Sequence, residues 1–137
     1  MTEPAVAAPF ERLDFLYVPS RDVAGDLAYF RDVLAGEVVF AVDSMGTRVA
    51  AIRFTEEPPL VLLTDHLEGD RPILVYRVAD LDEALAEMEA RGWHRERTFE
   101  IPHGPICSFT TPGGHRVALY QLTRPEVGAR FEGRRDF

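Results

Sequence analysis

Lysine is absent from this chain of 137 residues, and all fifteen of its basic residues are arginine. Schiff-base chemistry and a P-loop both need a lysine amine, so two large enzyme classes drop out. Cysteine is nearly absent too. Cys107 stands alone and cannot form a disulfide within the chain, as expected for a reducing compartment. Positive charge is in deficit, with a formal net charge of −8 at pH 7. A surface that neutralises phosphates or docks on anionic lipid needs the opposite sign, so neither nucleic acid nor membrane is an expected partner. The acidic excess serves solubility and would also draw a cationic ligand from a distance. The opening MTEPAVAAPFER holds acidic residues, two prolines and only a brief apolar stretch. Residues 1–11 therefore read as a loose lead-in, without the features of a secretion signal or membrane anchor. The expected location is cytoplasmic.

The remaining composition, 46% hydrophobic and 28% charged, is that of a globular protein with one domain's worth of core. Its pattern is organised around Pro72–Trp93, PILVYRVADLDEALAEMEARGW. Ile73–Val78 has the branched and aromatic composition of a strand. Asp80 is placed to cap a helix, with Glu83 three residues on as in a capping box. Leu81, Leu85 and Met88 then form one apolar stripe, and Gly92 ends it. An earlier copy starts at Leu13: a strand over 13–18, a cap at Asp22, a stripe of Val23, Leu27, Phe30 and Leu34, and Gly36 in the place of Gly92.

Three strand-like runs follow each copy. After the first they are 37–42, 47–54 and 60–64, punctuated by Asp43-Ser44-Met45-Gly46 and Glu56-Glu57-Pro58-Pro59. After the second they are 97–101, 106–111 and 116–122, with turns at His103-Gly104-Pro105 and Pro112-Gly113-Gly114. The expected class is α+β, with two β-α-β-β-β modules over about 12–64 and 72–122 joined by an acidic linker. Residues 124–137 form a tail with four arginines and two phenylalanines, either frayed or packed on this chain or a neighbour.

The stretches LYVPSRDVAGDLAYFRDVLAG, VYRVADLDEALAEMEARGW and FTTPGGHRVALYQ resemble the vicinal oxygen chelate superfamily, which includes glyoxalases, dioxygenases and bleomycin-resistance proteins. The resemblance spans about residues 12–123 and implies a curved, partial-barrel mixed sheet with helices outside. It also implies a cleft that holds a divalent metal on His and Glu. By family position those ligands fall at Leu13, Ile73 and Ala118, with the fourth within Leu60–Thr64, where the residues cannot bind metal. Asp14 is the only chelating neighbour of the three named positions. No metal or other cofactor is expected.

If Leu13 and Ile73 face the cleft, strand alternation brings Phe15, Tyr17, Val75 and Arg77 there, and Arg116 and Tyr120 join from the closing strand. Aromatic and aliphatic walls with two guanidiniums suit a small molecule. The arginines either hold a ligand's acid group or pair with structural carboxylates. Of the four histidines, His66, His94 and His115 are expected at the surface. His103, four residues before Cys107, is the candidate base of a nucleophilic Cys–His pair, against a buried, inert cysteine. The leading expectation is a metal-free protein of the glyoxalase or bleomycin-resistance type that binds a partly aromatic ligand. Such single-chain members pair as homodimers, and Phe131 and Phe137 are candidate contact residues. Two alternatives are enzymatic. One is a metal-dependent lyase, epimerase or dioxygenase with ligands displaced to His66 or His103. The other is an acid–base enzyme using His103, Tyr17 or Tyr120.

Overall fold

The computed structural model describes residues 10–137; of the lead-in expected over residues 1–11, residues 1–9 lie outside the described residues, and Phe10 and Glu11 belong to the first strand instead. The first module comprises β1 (Phe10–Pro19), α1 (Val23–Asp32), β2 (Glu37–Ser44), β3 (Thr47–Arg53) and β4 (Leu60–Thr64). The second comprises β5 (Ile73–Val78), α2 (Leu81–Ala90), β6 (Thr98–Ile101), β7 (Gly104–Thr110) and β8 (Arg116–Gln121). A short helix, α3 (Glu126–Phe131), follows. All eight strands join one open mixed sheet in the order β2-β3-β4-β1-β5-β8-β7-β6. Within each module the first strand pairs parallel with the last, and the modules meet where β1 runs antiparallel to β5. That seam lies within one chain.

Both expected helix caps form. The Asp22 carboxylate accepts from the Gly25 amide at 3.0 Å, and that of Asp80 accepts from the Glu83 amide at 2.9 Å. The buried stripes are Val23 with Leu27, and Leu81, Leu85 and Met88. Each helix covers one face of its own module: α1 packs on Ala41, Ala50, Ile52 and Leu63, and α2 on Val78, Cys107 and Leu119. At roughly 1.5–3 kcal/mol for each large apolar side chain buried, these two clusters are the main stabilising term.

The helix ends differ from the expected symmetry. Gly92 takes a left-handed conformation (φ 97°), but in the first copy Ala35 does so (φ 60°), one residue before Gly36. A Cβ on Gly36 would collide with Ile52 Cγ2, so this glycine is set by close packing on β3.

The tail is ordered on its own chain. Arg124 begins it, donating to the carbonyls of Ile101 and Pro102 and to the Glu100 carboxylate. On β2, Ala41 faces α1, so alternation turns Phe40 to the opposite face. There α3 sets Phe131 against Phe40, with ring centroids 5.6 Å apart. Two helices thus lie outside the sheet as expected, whereas α3 lies on the inner, concave face. The segment then hooks round the edge of β2. The Gly133 amide donates to Val39 O, the Ala41 amide to Arg134 O, and the Asp136 amide to Ala41 O. Phe137 finishes against the α1 cluster with Arg48 stacked over its ring at 4.8 Å. Phe131 and Phe137, expected as contacts to a second copy, are engaged within the chain.

Candidate functional site

The site is a cleft of 270 Å³ on the concave face, astride the β1/β5 seam. It draws on both modules and on α3. Phe15 and Leu60 come from β1 and β4, Arg77 and Tyr120 from β5 and β8, His103 from the β6–β7 turn, and Pro125 and Gly128 from the tail. Phe15, His103 and Tyr120 make an aromatic wall, with ring centroids 5.9–6.3 Å apart.

A bulge in β1 decides what lies on the floor. Phe15 stands opposite Val75, but Leu13 stands opposite Tyr76, so one extra residue, Asp14, is inserted between them. Directly opposed residues share a face. Leu13 therefore turns with Tyr76 toward the α2 side, and the expectation that it faces the cleft is corrected. Asp14 takes its place and is 5% exposed. The Tyr120 hydroxyl donates to one of its oxygens, and Arg12 Nε donates to the other at 2.6 Å. Arg77 Nε, buried and without a hydrogen-bond partner, lies 3.8 Å from Asp14 and 3.7 Å from Glu11. Burial, with the Asp14 carboxylate close by, pushes the Tyr120 phenol well above its ordinary value. The phenol stays protonated and holds its bond to Asp14.

Phe15, Val75, Arg77, Ala118 and Tyr120 are brought together around the seam, with Ile73 buried beside Val75. Other candidates go elsewhere. Arg116 donates to the carbonyls of Glu68 and Arg71 at 2.9 and 3.2 Å, so it pins the linker. Tyr17 packs on the same seam cluster opposite Ile73, outside the cleft lining, and meets His66 Nε2 at 3.2 Å, while His66 Nδ1 lies 2.6 Å from Thr64 Oγ1. His66 is thus exposed yet tied into a side-chain chain, whereas His94 and His115 are simply exposed.

The Cys107–His103 pair does not form. Cys107 is fully buried in the α2 cluster, on the far face of the sheet from His103, and its thiol contacts Glu96 O at 3.7 Å. Burial pushes that thiol up, away from the reactive thiolate. His103 itself is held below its ordinary value by burial and then by Arg124, so its imidazole is neutral at pH 7.

The residues do not fit a divalent metal. Both oxygens of Asp14 are taken by a phenol and a guanidinium, and a second guanidinium stands 3.8 Å away, where it would repel a cation. Among the described residues no three His, Cys, Asp or Glu side chains gather to share an ion. His66 and His103, the displaced candidates, are bound into separate surroundings.

The alternation rule alone misses Asp14, because a bulge leaves no mark in a period-two pattern. It also misses Arg12, Arg53, Glu56, Glu57 and Pro58, which line the mouth. For Glu56, Glu57 and Pro58 the available signal is the Glu56-Glu57-Pro58-Pro59 cluster, whose composition marks a turn; Arg12 and Arg53 have none.

No family model matches the chain, and no curated protein does. Solved structures do. Methylmalonyl-CoA epimerase from Mycobacterium tuberculosis superposes with a TM-score of 0.72 at 18% identity, over 92% of this chain and 97% of that one. The hypothetical protein BH1468 from Bacillus halodurans C-125 gives 0.68 at 13%, over 82% and 95%. A variant of Streptomyces coelicolor methylmalonyl-CoA epimerase, in complex with 2-nitronate-propionyl-CoA, gives 0.66 at 16%, over 84% and 99%. The fold is therefore that of the epimerase and glyoxalase type. No helix among the described residues is long and apolar enough to cross a membrane.

Proposed function

We propose that this chain binds a small, partly aromatic acid in the seam cleft and does so without a metal. The observation that carries the reading is the fate of the cleft's polar floor: Asp14, Tyr120 and Arg12 are satisfied by one another. Above that floor stand the rings of Phe15 and His103 and the apolar side chains of Leu60 and Leu122. A ring entering there meets aromatic faces, while Arg12, which bonds Asp14 through Nε alone, has its terminal nitrogens left for an acid group. Such shape and chemistry need no coordination centre.

The test is thermal unfolding with aromatic carboxylates, with and without divalent metal. A ligand at a hundred times its dissociation constant stabilises the fold by about 2.7 kcal/mol. Stabilisation that is indifferent to metal supports the proposal, and stabilisation that appears only with metal sinks it.

A second reading is an acid–base enzyme, and the observation favouring it is the His103 ring on the cleft wall beside Phe15 and Tyr120, where burial holds it below its ordinary value. Two of the epimerase neighbours are in complex with CoA compounds, so the carbon beside a thioester carbonyl is the proton source to try for such a base. His103 would take that proton and return it. Incubation with an acyl thioester in D2O should then place deuterium on that carbon. His103→Ala should abolish this exchange, whereas under the binding reading neither protein exchanges.

A further inference from the structure

We infer that Gly128, on α3, sets the size of molecule the cleft admits; this rests on the binding reading above and names a determinant within it. Glycine within a helix is less stable than alanine, so its presence asks for a reason. Two usual reasons fail here. The residue lies inside Glu126–Phe131 with its carbonyl accepting from the Glu132 amide at 3.1 Å, and it is not among the residues with a left-handed backbone. Nor is it pressed against a neighbour, since a Cβ built on it meets no atom within 4 Å. What a side chain would enter is the cleft itself, because Gly128 is part of its lining.

The helix that carries this glycine is fixed at both ends. Arg124 ties its start to the β6–β7 turn through three acceptors. At its other end Phe131 packs on Phe40, and the hook on β2 follows. A side chain at 128 therefore cannot be relieved by a sliding helix. It takes up open space at the lining that Gly128 shares with Phe15 and Tyr120.

The test uses the full chain, the variants Gly128→Ala and Gly128→Leu, and three probes of one chemistry and rising length: benzoate, 2-naphthoate and 4-biphenylcarboxylate. Affinities come from saturation-transfer NMR, with circular dichroism and thermal unfolding as checks on the fold. Gly128→Ala is expected to be folded and more heat-resistant than the native chain, and to weaken only the longest probe. Gly128→Leu is expected to weaken 4-biphenylcarboxylate by about tenfold or more while benzoate stays within about twofold. Affinities that fall equally for all three probes in a folded variant, or do not fall at all, overturn the inference. If the native chain binds none of the three, the binding reading itself fails, which is a separate result.

Discussion

The two modules repeat one order of elements, yet their outer edges are finished in different ways. Edge strand β2 has eight residues and is covered by the chain's own C-terminus, which bonds to Val39 and Ala41 and joins Arg135 to Ala41 in a parallel bridge. Edge strand β6 has four residues and, among the described residues, no backbone pairing of that kind on its outer side. An uncovered edge is a template for foreign strands, and its hazard grows with length and apolarity. The short β6 edge is guarded by charge instead: Arg97 stacks on Phe99, and Glu100 pairs with Arg124. The same problem has two solutions, and only the first brings a helix across the concave face. The roof of the cleft is thus a by-product of how the longer edge is protected.

The sharpest way to break that comparison is to delete residues 124–137. Burial of Val127 and the packing of Phe137 are lost together, so global stability should fall by about 3 kcal/mol or more in urea titration. The loss should be lopsided. Amide exchange at Ala41 and Asp43, whose protons are held by Arg134 O and the Asp136 carboxylate, should accelerate far more than exchange in β7. Equal acceleration in both modules would mean that the tail is not a device of the first module.

A second difference lies at the seam. β5 pairs with β8 in unbroken register, whereas β1 pairs with β5 through two irregularities, the second of which admits Asp14. Replacing Asp14 by Ala leaves Tyr120 and Arg77 without their shared carboxylate inside the cleft. A cost of about 2–3 kcal/mol in chemical denaturation is expected, since buried polar partners are stranded. The equivalent change at Leu74, which obeys the regular register of β5, disturbs packing only. A loss at Asp14 below about 0.5 kcal/mol, the usual size for a surface substitution, would mean that the bulge is incidental.

These differences also mark how far the sequence was legible. The strands, both helices and both caps follow from period, capping chemistry and turn residues, because each is decided within a few neighbouring positions. The concave helix is not: RPEVGARF has no stripe long enough to announce a helix, and its position depends on Phe40, ninety-one residues before Phe131. The site was half legible. Phe15, Val75, Arg77 and Tyr120 follow from alternation, while Leu13 and Asp14 exchange faces because one inserted residue resets it. Arg116 departs from the alternation rule for another reason. Its strand position points it inward, but a long guanidinium found the nearby carbonyls of the linker first.

The smallest expected effect compares the two caps, where the modules agree most closely. Asp22 and Asp80 each receive a backbone amide three residues on, at 3.0 and 2.9 Å, and each precedes a helix of ten residues. Substituting either by Ala should cost about 1 kcal/mol through one orphaned donor at the helix start. The surroundings then separate them. Glu83 and Asp82 add two negative charges to the first turn of α2, against Asp26 alone in α1. Those charges favour the positive end of the helix dipole and compensate in part for a lost cap. Asp22→Ala should therefore be the costlier of the two by a few tenths of a kcal/mol in low salt, with the gap closing as salt is raised. Identical costs at every salt concentration would leave hydrogen bonding alone, without the dipole, as the account of how these helices begin.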